Sequence, residues 1–154
     1  MQEELTTTSA KQTQGLGETL AKELKGGEVI CLSGELGSGK TTFTQGILKG
    51  LEADGPYTSP TFVIMKKYQT HLSLSFERRG IKGEVYHFDA YRVEAEDVLN
   101  LGWEEIIADP HNVVIVEWAD RIKKIIPSHA LWIRFEGVTE DKRKIFLTNE
   151  LKNI

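Results

Sequence analysis

The feature that most restricts the fold of this chain is a glycine-rich octapeptide, GELGSGKT, at residues 34–41. It matches the spacing G-x-x-x-x-G-K-[ST] at every defined position. The preceding segment 28–33 is apolar at Val29, Ile30 and Leu32, the first two of them β-branched, whereas residues 40–51 repeat apolar side chains at helical spacing. A strand, a glycine turn and a helix in that order predict a phosphate-binding loop within an α/β fold.

Each residue type in the octapeptide suits phosphate. Glycine backbones can turn successive N–H groups toward phosphate oxygens, and the start of a helix adds partial positive charge. Lys40 is expected to reach the β- and γ-phosphates and the Thr41 hydroxyl to bind Mg²⁺, although Thr42 could share or replace that role. The expected ligand-binding residues of the turn are Glu35, Leu36, Gly37, Ser38, Gly39, Lys40, Thr41 and Thr42.

Two acidic residues are candidate ligands for the metal. Asp89 ends the predicted strand 84–89, and Glu117 ends the predicted strand 112–117. Open α/β sheets bind ligands at the carboxyl ends of their strands, and Mg²⁺ with a triphosphate takes one or two carboxylates. Glu117 follows the more apolar strand and matches a Walker B acid, with Asp89 as a second acid that orients water or a switch segment. Which of the two is the main ligand stays open, and either could instead cap the next helix.

The rest of the chain predicts alternating strands and helices. The predicted strands cover residues 28–33, 84–89, 112–117, 131–135 and 144–148, and residues 61–68 are expected to be extended. The predicted helices begin after Ser9, at residue 40, at residue 94 with a break near Gly102, and at residue 118. This order predicts a P-loop NTPase-like three-layer α/β sandwich with a mixed, mainly parallel sheet. We expect a single domain over residues 1–154.

Net charge, cysteine content and the length of apolar runs restrict the classes of function open to this chain. A formal net charge of −4 gives no broad positive field to hold nucleic acid, so any contact with RNA needs a local patch or a partner protein. Cys31 is the only cysteine, which excludes an intramolecular disulfide and favours a reducing compartment with Cys31 in the core. No signal-peptide pattern or bilayer-length apolar run is visible, so we expect a cytoplasmic protein without membrane contact.

Four segments together resemble one family. They are GELGSGKTT at residues 34–42, SPTF at 59–62, YHFDAYR at 86–92 and EWADR at 117–121. The first is common to P-loop proteins, whereas the combination and order of all four resemble the TsaE family of small bacterial ATPases. That family is required for the threonylcarbamoyladenosine modification of tRNA.

The resemblance implies ATP and Mg²⁺ as cofactors and an ATPase that does not transfer the threonylcarbamoyl group itself. It implies action on a complex of the transferase protein, TsaD, and its paralogous dimer partner, TsaB, with tRNA contacted indirectly or locally at most. The implied site residues are Lys40 and Thr41 for phosphate and metal, Thr61 as a switch, Asp89 and Glu117 for magnesium and water, and Trp118 near the nucleotide or partner.

The residues leave alternative functions open. A GTPase is disfavoured because no N-K-x-D segment is present. A small-molecule kinase would use the same loop with a basic lid, for which Arg78 and Arg79 are available, and a nucleotide-dependent binding module would need no hydrolysis. By residue type alone, the aromatic side chains near the motifs are interpreted as packing residues rather than ligands. These are Tyr57, His87, Tyr91 and Trp118.

Overall fold

The computed structural model describes residues 2–58, 63–71 and 83–148. Its strands are β1 Gln2–Thr7, β2 Val29–Gly34, β3 Met65–Gln69, β4 Glu84–Asp89, β5 Asn112–Glu117, β6 Leu131–Gly137 and β7 Arg143–Thr148. Its helices are α1 Ala10–Ala21, α2 Lys40–Gly50, α3 Ala95–Leu99 and α4 Trp103–Ala108, with a 3₁₀ segment at Ala119–Ile125. Within these ranges, no helix has the length and apolar character needed to cross a membrane.

The described strands form one sheet in the order β1-β7-β6-β2-β5-β4-β3. Strands β6, β2, β5 and β4 are parallel neighbours, whereas β7 and β3 run antiparallel to them. Because β1 is antiparallel to β7, five of these seven strands point the same way. The prediction of a mixed, mainly parallel sheet is confirmed.

Strand β2 shows how the sheet divides the core. Ile30 and Leu32 belong to the cluster that packs against α1 and α2, whereas Val29 and Cys31 belong to the cluster formed with α3, α4 and the 3₁₀ segment. The alternation follows from the twofold period of a strand, which sends successive side chains to opposite faces. The three-layer arrangement is therefore as predicted. Cys31 is fully buried, and burial raises the pKa of its thiol to about 12.

Helices α1 and α2 approach closely through glycines. A Cβ atom placed on Gly17 would lie 2.3 Å from the carbonyl oxygen of Phe43, and one on Gly46 would lie 2.0 Å from that of Gln14. Ser9 caps α1 by accepting a hydrogen bond from the backbone N–H of Gln12 at 3.1 Å. The helix predicted after Ser9 is thus confirmed, although it ends at Ala21, before the expected glycines at 26–27.

Strand β1, the segment from residue 118 and the described part of the segment 61–68 differ from the sequence prediction, whereas the helix break near Gly102 agrees with it. Strand β1 was not predicted and pairs with β7 along its whole length. The segment expected to be helical from residue 118 is a 3₁₀ segment from Ala119 to Ile125, interrupted by non-helical angles at Ile122. The predicted break near Gly102 is confirmed, since this glycine adopts a φ of 86° between α3 and α4. The extended segment expected at 61–68 lies partly outside the described residues, and β3 begins at Met65.

Candidate functional site

The glycine turn lies between the end of β2 and the start of α2, as the octapeptide predicts. Gly34, Gly37 and Gly39 have φ angles of 138°, 76° and 107°, a region that favours glycine. At Gly34 a side chain is also excluded by space, because a Cβ atom would lie 2.4 Å from the carbonyl oxygen of Phe135. Strand β2 has β6 on one side and β5 on the other. The turn therefore lies at a topological switch point of the sheet, which is the usual place for a ligand crevice.

Lys40 folds back over this turn. Its Nζ donates hydrogen bonds to the carbonyl oxygens of Gly34 at 2.6 Å and Glu35 at 2.9 Å. The same atom lies 4.1 Å from the centroid of the Trp118 ring, a cation–π distance. The residue is only 4% exposed, and this burial lowers the pKa of Lys40, although nearby carboxylates, Glu117 first among them, act in the opposite direction. The turn therefore holds a positive charge in place.

Glu117, at the end of β5, is bonded through both carboxylate oxygens. Thr41 donates its hydroxyl to Oε1 at 2.8 Å, and Nε2 of His87 lies 2.6 Å from Oε2. Burial by itself would raise the pKa of Glu117. Hydrogen bonds from His87 and Thr41 and the charge of the Lys40 ammonium outweigh it and hold that pKa below its ordinary value. Glu117 is thus a buried, ionised carboxylate next to the first turn of α2.

Asp89 ends β4 directly beside Glu117 in the parallel register of β4 and β5. Its Oδ1 accepts a hydrogen bond from the backbone N–H of Tyr91 at 2.9 Å. Burial raises the pKa of Asp89, and the charge of Glu117 raises it further, against the lowering effect of the Tyr91 hydrogen bond. The two predicted acids therefore meet at one edge of the sheet, but of the two it is Glu117 that contacts Thr41.

The turn and both acids line one cleft of about 550 Å³. All predicted site residues line it except Glu35, whose carbonyl oxygen instead accepts from Lys40, and Thr61, which lies outside the described residues. Of the residues interpreted as packing, Tyr91 and Trp118 also line the cleft, with ring centroids 4.7 Å apart. Tyr57 packs against the core on the α1 and α2 side of the sheet, as expected.

One wall of the cleft was missed by the sequence analysis. It comes from the start of α1 and from the turn between β6 and β7, and its residues are Ala10, Thr13, Glu140, Asp141 and Arg143. A Cβ atom on Gly39 would lie 3.5 Å from Cγ2 of Thr13 and 3.8 Å from Cγ of Arg143, so this wall touches the glycine turn. Its parts are brought together by the pairing of β1 with β7, for which the sequence carries no local signal.

The donor set at the cleft can be judged by its chemistry. The Thr41 hydroxyl and the carboxylates of Glu117 and Asp89 are oxygen ligands, the type that Mg²⁺ prefers, and Mg²⁺ usually shares such ligands with phosphate oxygens and water. The neighbouring glycine turn and Lys40 offer the complementary groups for phosphate. These residues fit a magnesium–nucleotide ligand.

Comparison with known proteins tests the family resemblance independently of the structure. The family model for "Threonylcarbamoyl adenosine biosynthesis protein TsaE" matches residues 7–145. The chain belongs to the TsaE family. The resemblance carried by the four sequence segments is thus confirmed, and TsaE proteins have their role in the biosynthesis of threonylcarbamoyladenosine in tRNA.

Individual TsaE relatives are similar to this chain over most of their length. The tRNA threonylcarbamoyladenosine biosynthesis protein TsaE of Bacillus subtilis is 34% identical over 142 residues, which cover 92% of this chain and 82% of the relative. The TsaE protein of Aquifex aeolicus is 37% identical over 139 residues, 89% of either chain. The crystal structure of Bacillus subtilis YdiB is similar, with a TM-score of 0.76, 29% identity and coverage of 99% of this chain and 90% of YdiB.

Proposed function

We propose that this chain binds ATP and Mg²⁺ in the cleft and hydrolyses the ATP in the service of tRNA threonylcarbamoyladenosine synthesis. The observation that carries the proposal is the hydrogen bond between Thr41 and Glu117, which joins a hydroxyl at the start of α2 to a buried carboxylate at the end of β5. It keeps two magnesium-type ligands together beside the ammonium of Lys40. A glycine turn used only for packing would not need these three groups in one place.

The residues divide the work as follows. The backbone N–H groups of the turn and the Lys40 ammonium bind the phosphates, with the positive end of α2 behind them. Thr41 and Glu117 hold the metal, and Asp89 orients the attacking water. Bound Mg²⁺ supplies positive charge that offsets the negative charge of the triphosphate and its transition state. Thr61 is proposed as a switch residue from the family resemblance alone.

The proposed target of the ATP cycle is the transferase complex of TsaD and TsaB, and the threonylcarbamoyl group is not transferred by this chain. Membership in the TsaE family supports the pathway, and the target rests on the family resemblance. P-loop NTPases often need a second protein to complete the site, so the isolated chain is expected to turn over slowly. Leu36, at the tip of the glycine turn, is 77% exposed and leaves that side accessible to a partner.

The test compares the unsubstituted chain with Lys40→Ala, Glu117→Gln and Lys49→Ala. Each protein is used to capture TsaD and TsaB with and without ATP, and phosphate release is then measured on the recovered assembly. Lys40→Ala is expected to lose nucleotide binding, and Glu117→Gln to bind nucleotide but lose most turnover. Lys49→Ala is the matched control, because Lys49 is on the same helix but pairs with Glu18 at 3.3 Å and is 62% exposed.

Three other outcomes would refute the proposal in different ways. Phosphate release that is no faster than that of Lys40→Ala and Glu117→Gln would rule out hydrolysis and favour a binding module. A phosphorylated small molecule in place of free phosphate would favour a kinase. Loss of activity in Lys49→Ala equal to that in Lys40→Ala would show that the cleft is not the site.

A further inference from the structure

His87 has a polar contact that its interpretation as a packing residue does not explain. Its side chain is 2% exposed and that of Glu117 is 3% exposed, and Nε2 lies 2.6 Å from Oε2. A buried polar ring costs free energy unless it is hydrogen-bonded, so an apolar side chain would be the simpler choice for packing alone. The imidazole therefore has a reason to be there beyond filling space.

The direction of this bond follows from the other ring nitrogen. Nδ1 of His87 is buried and has no hydrogen-bond partner within the described part of the chain. A buried N–H without an acceptor is costly, whereas Glu117 is an acceptor next to Nε2. This assigns the ring proton to Nε2, which donates it to Oε2 of Glu117.

The bond fixes how Glu117 presents its second oxygen. His87 lies on β4 and Glu117 on the neighbouring β5, so Oε2 is tied across the sheet to a rigid element. Oε1 then faces the start of α2, where it accepts from Thr41 at 2.8 Å. Side chains that hold a metal ligand in this way typically change metal affinity 10–100-fold when replaced.

We propose that His87 is a positioning residue for magnesium binding: its Nε2–H holds Glu117 by one oxygen so that the other is presented beside Thr41. His87 does not itself touch the ligand. This inference rests on the proposed function, because it assumes that Glu117 and Thr41 hold the metal of a bound nucleotide.

The test uses two substitutions of nearly equal size. Gln in His87→Gln can donate from an amide nitrogen at about the reach of Nε2, whereas Met in His87→Met has a similar length and no donor. Binding of ADP is measured by calorimetry with a chelator present, and binding of Mn²⁺, as a probe for Mg²⁺, is then measured on the ADP complex by electron paramagnetic resonance.

We expect the substitutions to affect metal binding and to leave nucleotide binding nearly unchanged. ADP without metal should bind all three proteins within about twofold. Mn²⁺ should bind the ADP complex of His87→Met about 10–100-fold more weakly than that of the unsubstituted protein, and His87→Gln should recover most of the loss. Unchanged Mn²⁺ affinity in His87→Met, or equal losses in both variants, would overturn the proposal.

A second measurement covers a variant that fails to fold. Nitrogen-15 resonances of His87 in the unsubstituted protein are expected to show the proton on Nε2, and a proton on Nδ1 alone would overturn the proposal without any substitution. Failure of the unsubstituted protein to bind ADP and Mn²⁺ would instead refute the proposed function. That outcome is seen before any His87 variant is compared, so the two failures are distinguishable.

Discussion

Gly46 offers a sharp test of how α2, the helix that carries Lys40 and Thr41, is held in place. In Gly46→Ala the new Cβ would lie 2.0 Å from the carbonyl oxygen of Gln14 and 2.8 Å from its carbonyl carbon. Both are backbone atoms of α1, so no side chain can swing aside. To bring the first distance to 3.4 Å, α1 and α2 must move apart by roughly 1.4 Å.

The expected magnitude is the balance of two effects. Overpacking costs about 1–3 kcal/mol, and a clash with backbone belongs at or beyond the upper end of that range. Alanine in place of glycine within a helix returns about 1 kcal/mol. We therefore expect Gly46→Ala to lower the free energy of unfolding by about 2–3 kcal/mol, which for a chain of this size lowers Tm by roughly 4–12 °C.

Gly15→Ala is the matched control, because it makes the same change within α1 where a Cβ atom would meet nothing within 4 Å. It should raise the free energy of unfolding by about 0.5–1 kcal/mol through helix propensity alone. Thermal and urea unfolding followed by circular dichroism measure both variants. A Gly46→Ala variant as stable as the unsubstituted chain, or a Gly15→Ala variant as unstable as Gly46→Ala, would contradict the close approach of the two helices.

Three further predictions concern the cleft. Folding lowers the pKa of Glu117, so Glu117→Gln should be less stable than the unsubstituted chain above the ordinary glutamate pKa, and this deficit should vanish as pH falls through the lowered pKa. Folding raises the pKa of Asp89, so Asp89→Asn should gain stability above that raised pKa and lose the gain below the unfolded value. Urea unfolding from about pH 3 to about pH 8 checks both, and differences that change with pH in the same direction would contradict the assignment. Because Trp118 covers Lys40 at 4.1 Å, ATP binding should alter tryptophan fluorescence, and a full response in Trp118→Phe would contradict that placement.

The parts of the fold that sequence predicted well are those specified locally. Strands β4 and β5 end at Asp89 and Glu117 as expected, since the β-forming residues of β4 and the apolar run of β5 each end there at an acidic residue. The glycine turn is specified by residues adjacent in the chain. Strand β1 was missed because its six residues, QEELTT, carry one apolar side chain, and its strand form comes from pairing with β7.

Features of the cleft that depend on residues distant in the chain were also missed by the sequence analysis. Thr13 and Arg143 are separated by most of the chain, and the packing of α1 on α2 together with the sheet order brings them to Gly39. The interpretation of His87 as a packing residue left out its bond to Glu117. The sequence nevertheless contained a signal for this bond. His87 and Asp89 lie two residues apart and therefore share one face of β4, and the parallel strand β5 places the carboxylate of Glu117 on that same face.

The pairing of β1 with β7 has a consequence for how the protein is made. β1 is the first described strand to leave the ribosome and β7 the last, and among described strands β1 pairs with β7 alone. During synthesis, β2, α2, β4 and β5 can therefore assemble before β7 has been made. Until then β1 has no strand to pair with and stays exposed. The wall of the cleft built from α1 and the β6–β7 turn is completed only when the two meet, so nucleotide should engage fully only after translation has passed residue 148.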